Sequence, residues 1–289
     1  MSRIYDALRQ AEEEKQFAGE LPAQSAQSDA FAPAAALPLA DAAPVTTVTP
    51  ATWHPVMGKL PTLTAMEVGA EEFRRLRSRL YQARDQQPFK SVLVTSGLPG
   101  EGKSFVAANL AVTLARHRSR RVLLIDGDLR KPALHSVLGT HNSPGLSEFL
   151  AGTAHLDQII QTGSIPNLAF IPAGHESQNA AELVGNNHLE GLLARVQDSF
   201  DWIVIDSSPV VPVPDAISLA RACETVLFVA RAAATPYDVA QRLQREFKDS
   251  RVLGFVINAI NDGNAKIRTR YAHQYEGPEA SLALAAGAD

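Results

Sequence analysis

Three short runs of the 289-residue chain hold the side chains with the types and spacing for chemistry. The first, Gly97-Leu-Pro-Gly100-Glu101-Gly102-Lys103-Ser104, fits the pattern G-x-x-x-x-G-K-[ST]. It follows a β-rich run and precedes an apolar helical run beginning Phe105-Val-Ala-Ala-Asn. In that setting Gly97, Gly100 and Gly102 let backbone amides turn inward as an anion nest at a helix N-terminus. Lys103 can neutralise the β- and γ-phosphates of ATP, and Ser104 can ligate Mg²⁺. Glu101 is placed to orient the loop, although spacing alone does not decide this.

The second run ends Val122-Leu-Leu-Ile with Asp126-Gly-Asp128, and the third ends Trp202-Ile-Val-Ile with Asp206. A lone aspartate after a strand is commonly a turn former. Two strand ends bearing acids on the same side as a phosphate loop instead point to a magnesium–nucleotide site, since Mg²⁺ takes oxygen ligands and keeps several waters. Asp201 precedes its strand, lies at the other end, and is expected to be structural.

The elements that must position these residues follow from the apolar pattern. Runs at 91–95, 121–125, 168–171, 202–205, 225–230 and 252–258 are near-continuous in Val, Ile and Leu, as strands buried on both faces require. Helical stretches at 66–84, 103–116, 180–196, 215–222 and 237–248 lie between or beside them. The alternation predicts an α/β fold, a doubly wound and mostly parallel sheet with ligands at the carboxyl ends of its strands. Four segments are expected: an amphipathic helix at 1–17, an Ala/Pro-rich disordered linker at 18–62, the nucleotide-binding domain at 63–262, and a flexible tail at 263–289. The helix at 1–17 carries Ile4, Leu8 and Ala11 on one stripe, a shape suited to a partner groove.

Bulk properties remove other classes. With 27 basic against 31 acidic residues, no net positive field favours nucleic acid. The single cysteine, Cys223, excludes an intrachain disulfide and sits among core-type neighbours. No run approaches the roughly 20 apolar residues of a membrane span, and the charged N-terminus does not read as a signal peptide. A cytoplasmic protein that reaches the inner membrane only through a partner is expected.

Together these motifs resemble the bacterial tyrosine autokinases of capsule and exopolysaccharide loci, over about residues 66–275. The resemblance rests on Pro99-Gly-Glu-Gly-Lys-Ser104, Asp126-Gly-Asp-Leu-Arg-Lys-Pro132, Gly145-Leu-Ser-Glu-Phe-Leu-Ala-Gly152, Asn179-Ala-Ala-Glu-Leu183, Val204-Ile-Asp-Ser-Ser-Pro209 and Val252-Leu-Gly-Phe-Val-Ile-Asn258. It implies that Lys103 and Ser104 handle phosphate and magnesium, with Phe105 at the nucleotide. Asp126 would accept or orient the tyrosine proton, Asp128 would sit near the metal, and Asp206 would hold magnesium through water. Asn258 would contact adenine. Glu71, Arg74 and Arg77 match an E-x-x-R-x-x-R oligomerisation motif, expected on the helix side opposite Phe73, Leu76 and Leu80, which implies a ring-like homo-oligomer. The implied partner is a membrane activator of the polysaccharide co-polymerase type, and the acceptors are Tyr271 and Tyr275 in the tail. Related switch ATPases carry a second lysine early in the loop, where this chain has Leu98, which counts against their hydrolytic switch; the alternative is a nucleotide-driven assembly switch, an ATPase or a pseudokinase scaffold, of the same machinery.

Overall fold

The strands divide their side chains between two cores, and this alternation sets the architecture of the computed structural model. It describes residues 49–64, 69–117, 120–177, 179–185 and 188–260. In β2 (Ser91–Ser96), Val92 and Val94 face one core and Leu93 the other. The same period of two runs through β3 (Val122–Asp126) and β6 (Trp202–Asp206). It also runs through β7 (Thr225–Arg231), where Val226 and Phe228 oppose Leu227 and Val229. Burial on both faces is why these strands read as unbroken apolar runs.

The eight-stranded sheet has the order β1-β4-β5-β3-β6-β2-β7-β8. Here β1 is Thr49–Pro50, β4 Gln161–Thr162, β5 Leu168–Ile171 and β8 Val252–Asn258. All pairings are parallel except β4 with β5. From β2 the chain first builds outward to β3 and β5. It then returns to insert β6 between β3 and β2 and continues to β7 and β8 on the other flank. The order therefore reverses at β2 and β6, where a crevice opens at the carboxyl ends.

Helix α1 (Ala70–Gln86) begins with Glu71 and Glu72 and ends with Arg84, matching its dipole, and buries Ala70, Phe73 and Leu80. Helix α2 (Lys103–Ala115) is buried from Val106 through Ala115, so it is apolar all round. Three short helices follow β3: α3 (Leu134–Leu138), α4 (Leu146–Leu150) and α5 (Leu156–Ile159). The stretch expected as one helix over 180–196 is two, α6 (Ala180–Gly185) and α7 (His188–Val196). Helices α8 (Asp215–Ala222) and α9 (Tyr237–Glu246) complete the layers.

The linker expected to reach residue 62 is corrected from residue 49 onward. Thr49 and Pro50 pair with β4, Trp53 and Leu60 are buried, and residues 57–59 and 61–63 form 3-10 turns. Trp53 seats its ring over Gly163, where a Cβ would come within 2.2 Å, and meets Phe170 edge-on. Buried Asn109 of α2 supplies polar partners, accepting from Thr62 Oγ1 at 2.8 Å and donating to the Lys59 carbonyl at 3.0 Å. Two large apolar side chains and one satisfied buried amide outweigh a composition that otherwise reads as linker. The 1–17 helix, the rest of the linker to residue 48, and the 263–289 tail with Tyr271 and Tyr275 lie outside the described residues. Among the described residues, no helix is long and apolar enough to cross a membrane.

Candidate active site

The phosphate loop leaves β2 after Ser96 and enters α2 at Lys103. Its shape is imposed by neighbouring strand ends. Gly102 has φ +96°, and a Cβ there would fall 2.0 Å from Asn258 Nδ2, so only glycine fits. Asn258, the last residue of β8, donates to the Glu101 carbonyl at 2.9 Å. Glu101 is buried; it accepts the Leu98 amide at 2.8 Å and the hydroxyl of Thr235. Arg231 donates to the Gly100 carbonyl at 3.1 Å. The loop is thus fastened from β7, β8 and the segment before α9. Thr235 and Arg231 have no signal in the sequence, since their partners lie more than 130 residues away.

Beside the loop, β3 and β6 end in register, with Asp126 opposite Asp206. Gly127 donates to the Asp206 carbonyl at 3.0 Å, and a Cβ at this glycine would come within 2.5 Å of that oxygen. Lys103 Nζ lies 2.8 Å from Asp128 Oδ2 and 3.4 Å from Ser104 Oγ. Asp128 Oδ1 also accepts the Lys131 amide at 3.1 Å. Asp126 accepts the amides of Asp128, Ala133 and Leu134 at 3.2, 3.2 and 3.0 Å. Asp206 differs: it is fully buried and neither carboxylate oxygen makes a well-formed hydrogen bond, although the Ser104 hydroxyl and the Ser207 amide lie near enough to favour its charged form.

The electrostatics follow from this crowding. Burial, then the charge of Asp206, pushes Asp126 up to about 7. Burial pushes Asp206 up to about 6, against the pull of the Lys103 charge. Burial alone would lower Lys103, but Asp206 and Asp128 overcome it and hold the ammonium above its ordinary value. One ammonium and three carboxylates therefore leave an excess of negative charge that a divalent cation would relieve. The donor set is oxygen only, and the unpartnered Asp206 carboxylate is the kind of group such a cation satisfies. Among the described residues no cluster of three His, Cys, Asp or Glu side chains forms a cage for a metal. Mg²⁺ takes most of its ligands from water and nucleotide phosphates, so one or two protein oxygens such as those of Ser104 and Asp206 could serve it.

The sequence-expected residues Gly97, Gly100, Glu101, Gly102, Lys103, Ser104, Asp126, Asp128, Asp206 and Asn258 are thus drawn to one end of the sheet. Phe105 packs edge-on to Phe73 of α1 at 5.8 Å. Glu71, Arg74 and Arg77 lie on α1. Glu71 and Arg74 form an exposed 2.6 Å ion pair, whereas Arg77 donates to the Thr113 carbonyl of α2 at 3.2 Å. The expectation that all three oppose Leu80 is corrected for Arg77. Three residues turn a helix by about 300°, leaving Arg77 about 60° from Leu80. Cys223 is pushed by burial up to about 12, which leaves an inert thiol.

The sequence profile of the AAA domain family matches residues 91–247. The tyrosine-protein kinase YwqD of Bacillus subtilis is 31% identical over 193 residues, which cover 66% of this chain and 81% of YwqD. This chain belongs to the bacterial tyrosine-kinase family of P-loop ATPases. The family resemblance also extends to longer proteins. The tyrosine-protein kinase Ptk of Acinetobacter johnsonii is 31% identical over 69% of this chain, which spans only 27% of Ptk. The succinoglycan biosynthesis transport protein ExoP of Rhizobium meliloti is 32% identical over 71% of this chain and 28% of its own length. Among solved structures, the kinase domain of Escherichia coli Etk superposes with a TM-score of 0.62 at 31% identity, covering 65% of this chain and 74% of that one. The septum site-determining protein MinD of Pyrococcus horikoshii, solved with Mg-ADP, gives 0.52 at 26%, covering 58% and 69%.

Proposed function

We propose that this kinase-family chain is an ATP-dependent tyrosine autokinase that regulates polysaccharide polymerisation and export, with Tyr271 and Tyr275 of a neighbouring subunit as acceptors. The observation that carries the reading is the meeting of Lys103, Ser104 and the unpartnered Asp206 carboxylate at the ends of β2 and β6. Relatives named as tyrosine-protein kinases support the activity, and ExoP supports the polysaccharide setting.

In this reading the loop amides and Lys103 hold the β- and γ-phosphates, and Asn258 faces the adenine end. Ser104 and Asp206, the latter through water, would hold Mg²⁺ with Asp128 nearby. The metal, when bound, neutralises charge on the terminal phosphates. Asp126, fixed by three amides and raised toward neutrality, accepts the phenolic proton. The tyrosine oxygen bonds to the γ-phosphorus, the bond from that phosphorus to the β-phosphate oxygen breaks, and ADP leaves. Positioning and charge neutralisation supply most of the acceleration.

Glu71, Arg74 and Arg77 would join subunits in a ring. A membrane activator of the co-polymerase type would bring this cytoplasmic chain to the inner membrane, with the 1–17 helix as a docking element. Phosphate on the tail would add about −1.5 to −2 charge per tyrosine and repel it from the site carboxylates, loosening the ring.

Incubation of the full chain with Mg·ATP and an activator segment, followed by phosphopeptide mapping, should label Tyr271 or Tyr275. Nucleotide binding with no label on either would remove the autokinase. A second reading is a nucleotide-driven assembly switch, and the likeness to MinD, solved with Mg-ADP, is compatible with it. Unchanged assembly and polymer output after both tyrosines are changed to Phe would select it.

A further inference from the structure

Three buried side-chain oxygens without a hydrogen-bond partner lie at the end of β6 and just beyond it. Two belong to Asp206, and the third is Ser208 Oγ. Asp206 has a role in the site described above; Ser208 has none. It is 1% exposed, and the chain around it is firmly held. Ser207 Oγ donates to the carbonyls of Val94 and Ser208, each at 3.1 Å. Thr95 Oγ1 donates to the Ser208 carbonyl at 3.2 Å. The amides of Val210 and Val211 donate to the carbonyls of Ser96 and Gly97 at 2.9 and 3.0 Å. These bonds lay residues 207–211 against the end of β2 and the first glycine of the phosphate loop. The Ser208 hydroxyl takes part in none of them.

A buried hydroxyl that bonds nothing is unfavourable, and such a group is accounted for by a bound water, an ion, strain or a ligand that completes it. The other partnerless polar atoms among the described residues include the indole nitrogens of Trp53 and Trp202, set in the apolar core that α2 covers, and Ser147 Oγ, beside Gly174. Ser208 instead stands two residues past Asp206, in the buried segment that packs against the end of β2 and the first glycine of the phosphate loop. The nest amides at the start of α2 serve the inner phosphates. In the Mg·ATP reading, a donor on the Asp206 flank would meet the phosphate farthest along the nucleotide.

We propose that Ser208 Oγ donates a hydrogen bond to an oxygen of the nucleotide's terminal phosphate, making it a triphosphate-sensing contact. This rests on the reading of the crevice as a Mg·ATP site. The contact distinguishes ATP from ADP without adding charge to a site already rich in carboxylates.

The test is calorimetry on the full chain and its Ser208→Ala variant, with Mg·ADP and with the nonhydrolysable analogue Mg·AMP-PNP, together with the thermal midpoint of each protein without nucleotide. Ser208→Ala should weaken AMP-PNP binding by about tenfold, as for a hydrogen bond to a charged group. ADP affinity should stay within about twofold, and the nucleotide-free midpoint should be unchanged or higher. Ser208→Cys, nearly isosteric with a poor donor, should show the same selective loss. Equal losses for ADP and AMP-PNP, no loss for either, or a lowered nucleotide-free midpoint in both variants would overturn the proposal. Failure of the unchanged chain to bind either nucleotide would remove the Mg·ATP reading itself, and this contact with it.

Discussion

The two ends of β6 each carry an aspartate, and they are treated in opposite ways. Asp201, just before the strand, accepts the Arg121 amide at 2.8 Å and lies 3.2 Å from Arg120 Nη1. Burial there pushes its pKa up, but the Arg121 amide and the Arg120 guanidinium outweigh it and hold the carboxyl below its ordinary range. Asp206, at the other end, makes no well-formed hydrogen bond through either oxygen, and burial raises it to about 6 against the pull of Lys103 and Ser104. Glu224 repeats the first pattern beside β2, accepting the amides of Lys90 and Ser91 at 2.6 and 2.8 Å. Carboxylates at the amino end of the sheet are clamps satisfied by the fold. Asp126, Asp128 and Asp206 at the carboxyl end share the one ammonium of Lys103 and are left short of positive charge, which a ligand would supply. Stability and function are thereby separated along a strand of five residues.

That contrast can be broken most forcefully at Lys103. In the proposed kinase, Lys103→Ala should cut tyrosine phosphorylation by about 10²-fold or more, because it would remove the resident cation from the transferring phosphoryl group. Radiolabel incorporation measures this, and retention of activity within a few-fold would break the contrast.

Asp206→Asn tests the other side, with a sign opposite to most core changes. A carboxylate raised in the folded state contributes stability below its unfolded value near 4, and that contribution is lost as pH rises through about 6. Without nucleotide, Asp206→Asn should therefore be more stable than the parent at pH 8 by about 1–3 kcal/mol, with the gain vanishing by about pH 4. Urea midpoints across that range report it. Asp126 is a poorer probe because its three amide donors need the carboxylate.

A smaller effect is expected at Asn258→Ala. Releasing the Glu101 carbonyl from β8 should weaken Mg·ATP binding by about three- to tenfold while leaving the fold intact. Asp201→Ala should do the reverse, lowering stability near pH 7 by about 1 kcal/mol with nucleotide affinity unchanged. Because its folded-state pKa is depressed, that loss should fade as pH falls below the ordinary carboxylate range.

Much of the sheet was legible because burial on both faces writes unbroken Val/Ile/Leu runs, and β5 and β8 match their expected limits. The two-residue strands β1 and β4 were not, since neither is long enough to show a period. Residues 49–62 read as linker because their order depends on two side chains, Trp53 and Leu60, whose partners lie elsewhere in the chain. In the site, Lys103, Ser104, Asp126, Asp128 and Asp206 were legible because each stands at a strand end or loop with its own motif. The fastening of the loop by Thr235 and Arg231 was not, nor was the 2.6 Å pairing of Arg130 with Asp215, 85 residues away. Such contacts are created by topology and leave no local spacing to read.

Calorimetric titration of ATP into the nucleotide-free chain, with magnesium and again with the metal chelated, tests the account most directly. Lys103 and the unsatisfied Asp206 carboxylate predict clear binding with Mg·ATP, sharply weaker binding without the metal, and loss of most of that difference in Asp206→Asn. Equal binding under both conditions, or none with Mg·ATP, would contradict a site built to be completed by a metal-bound nucleotide.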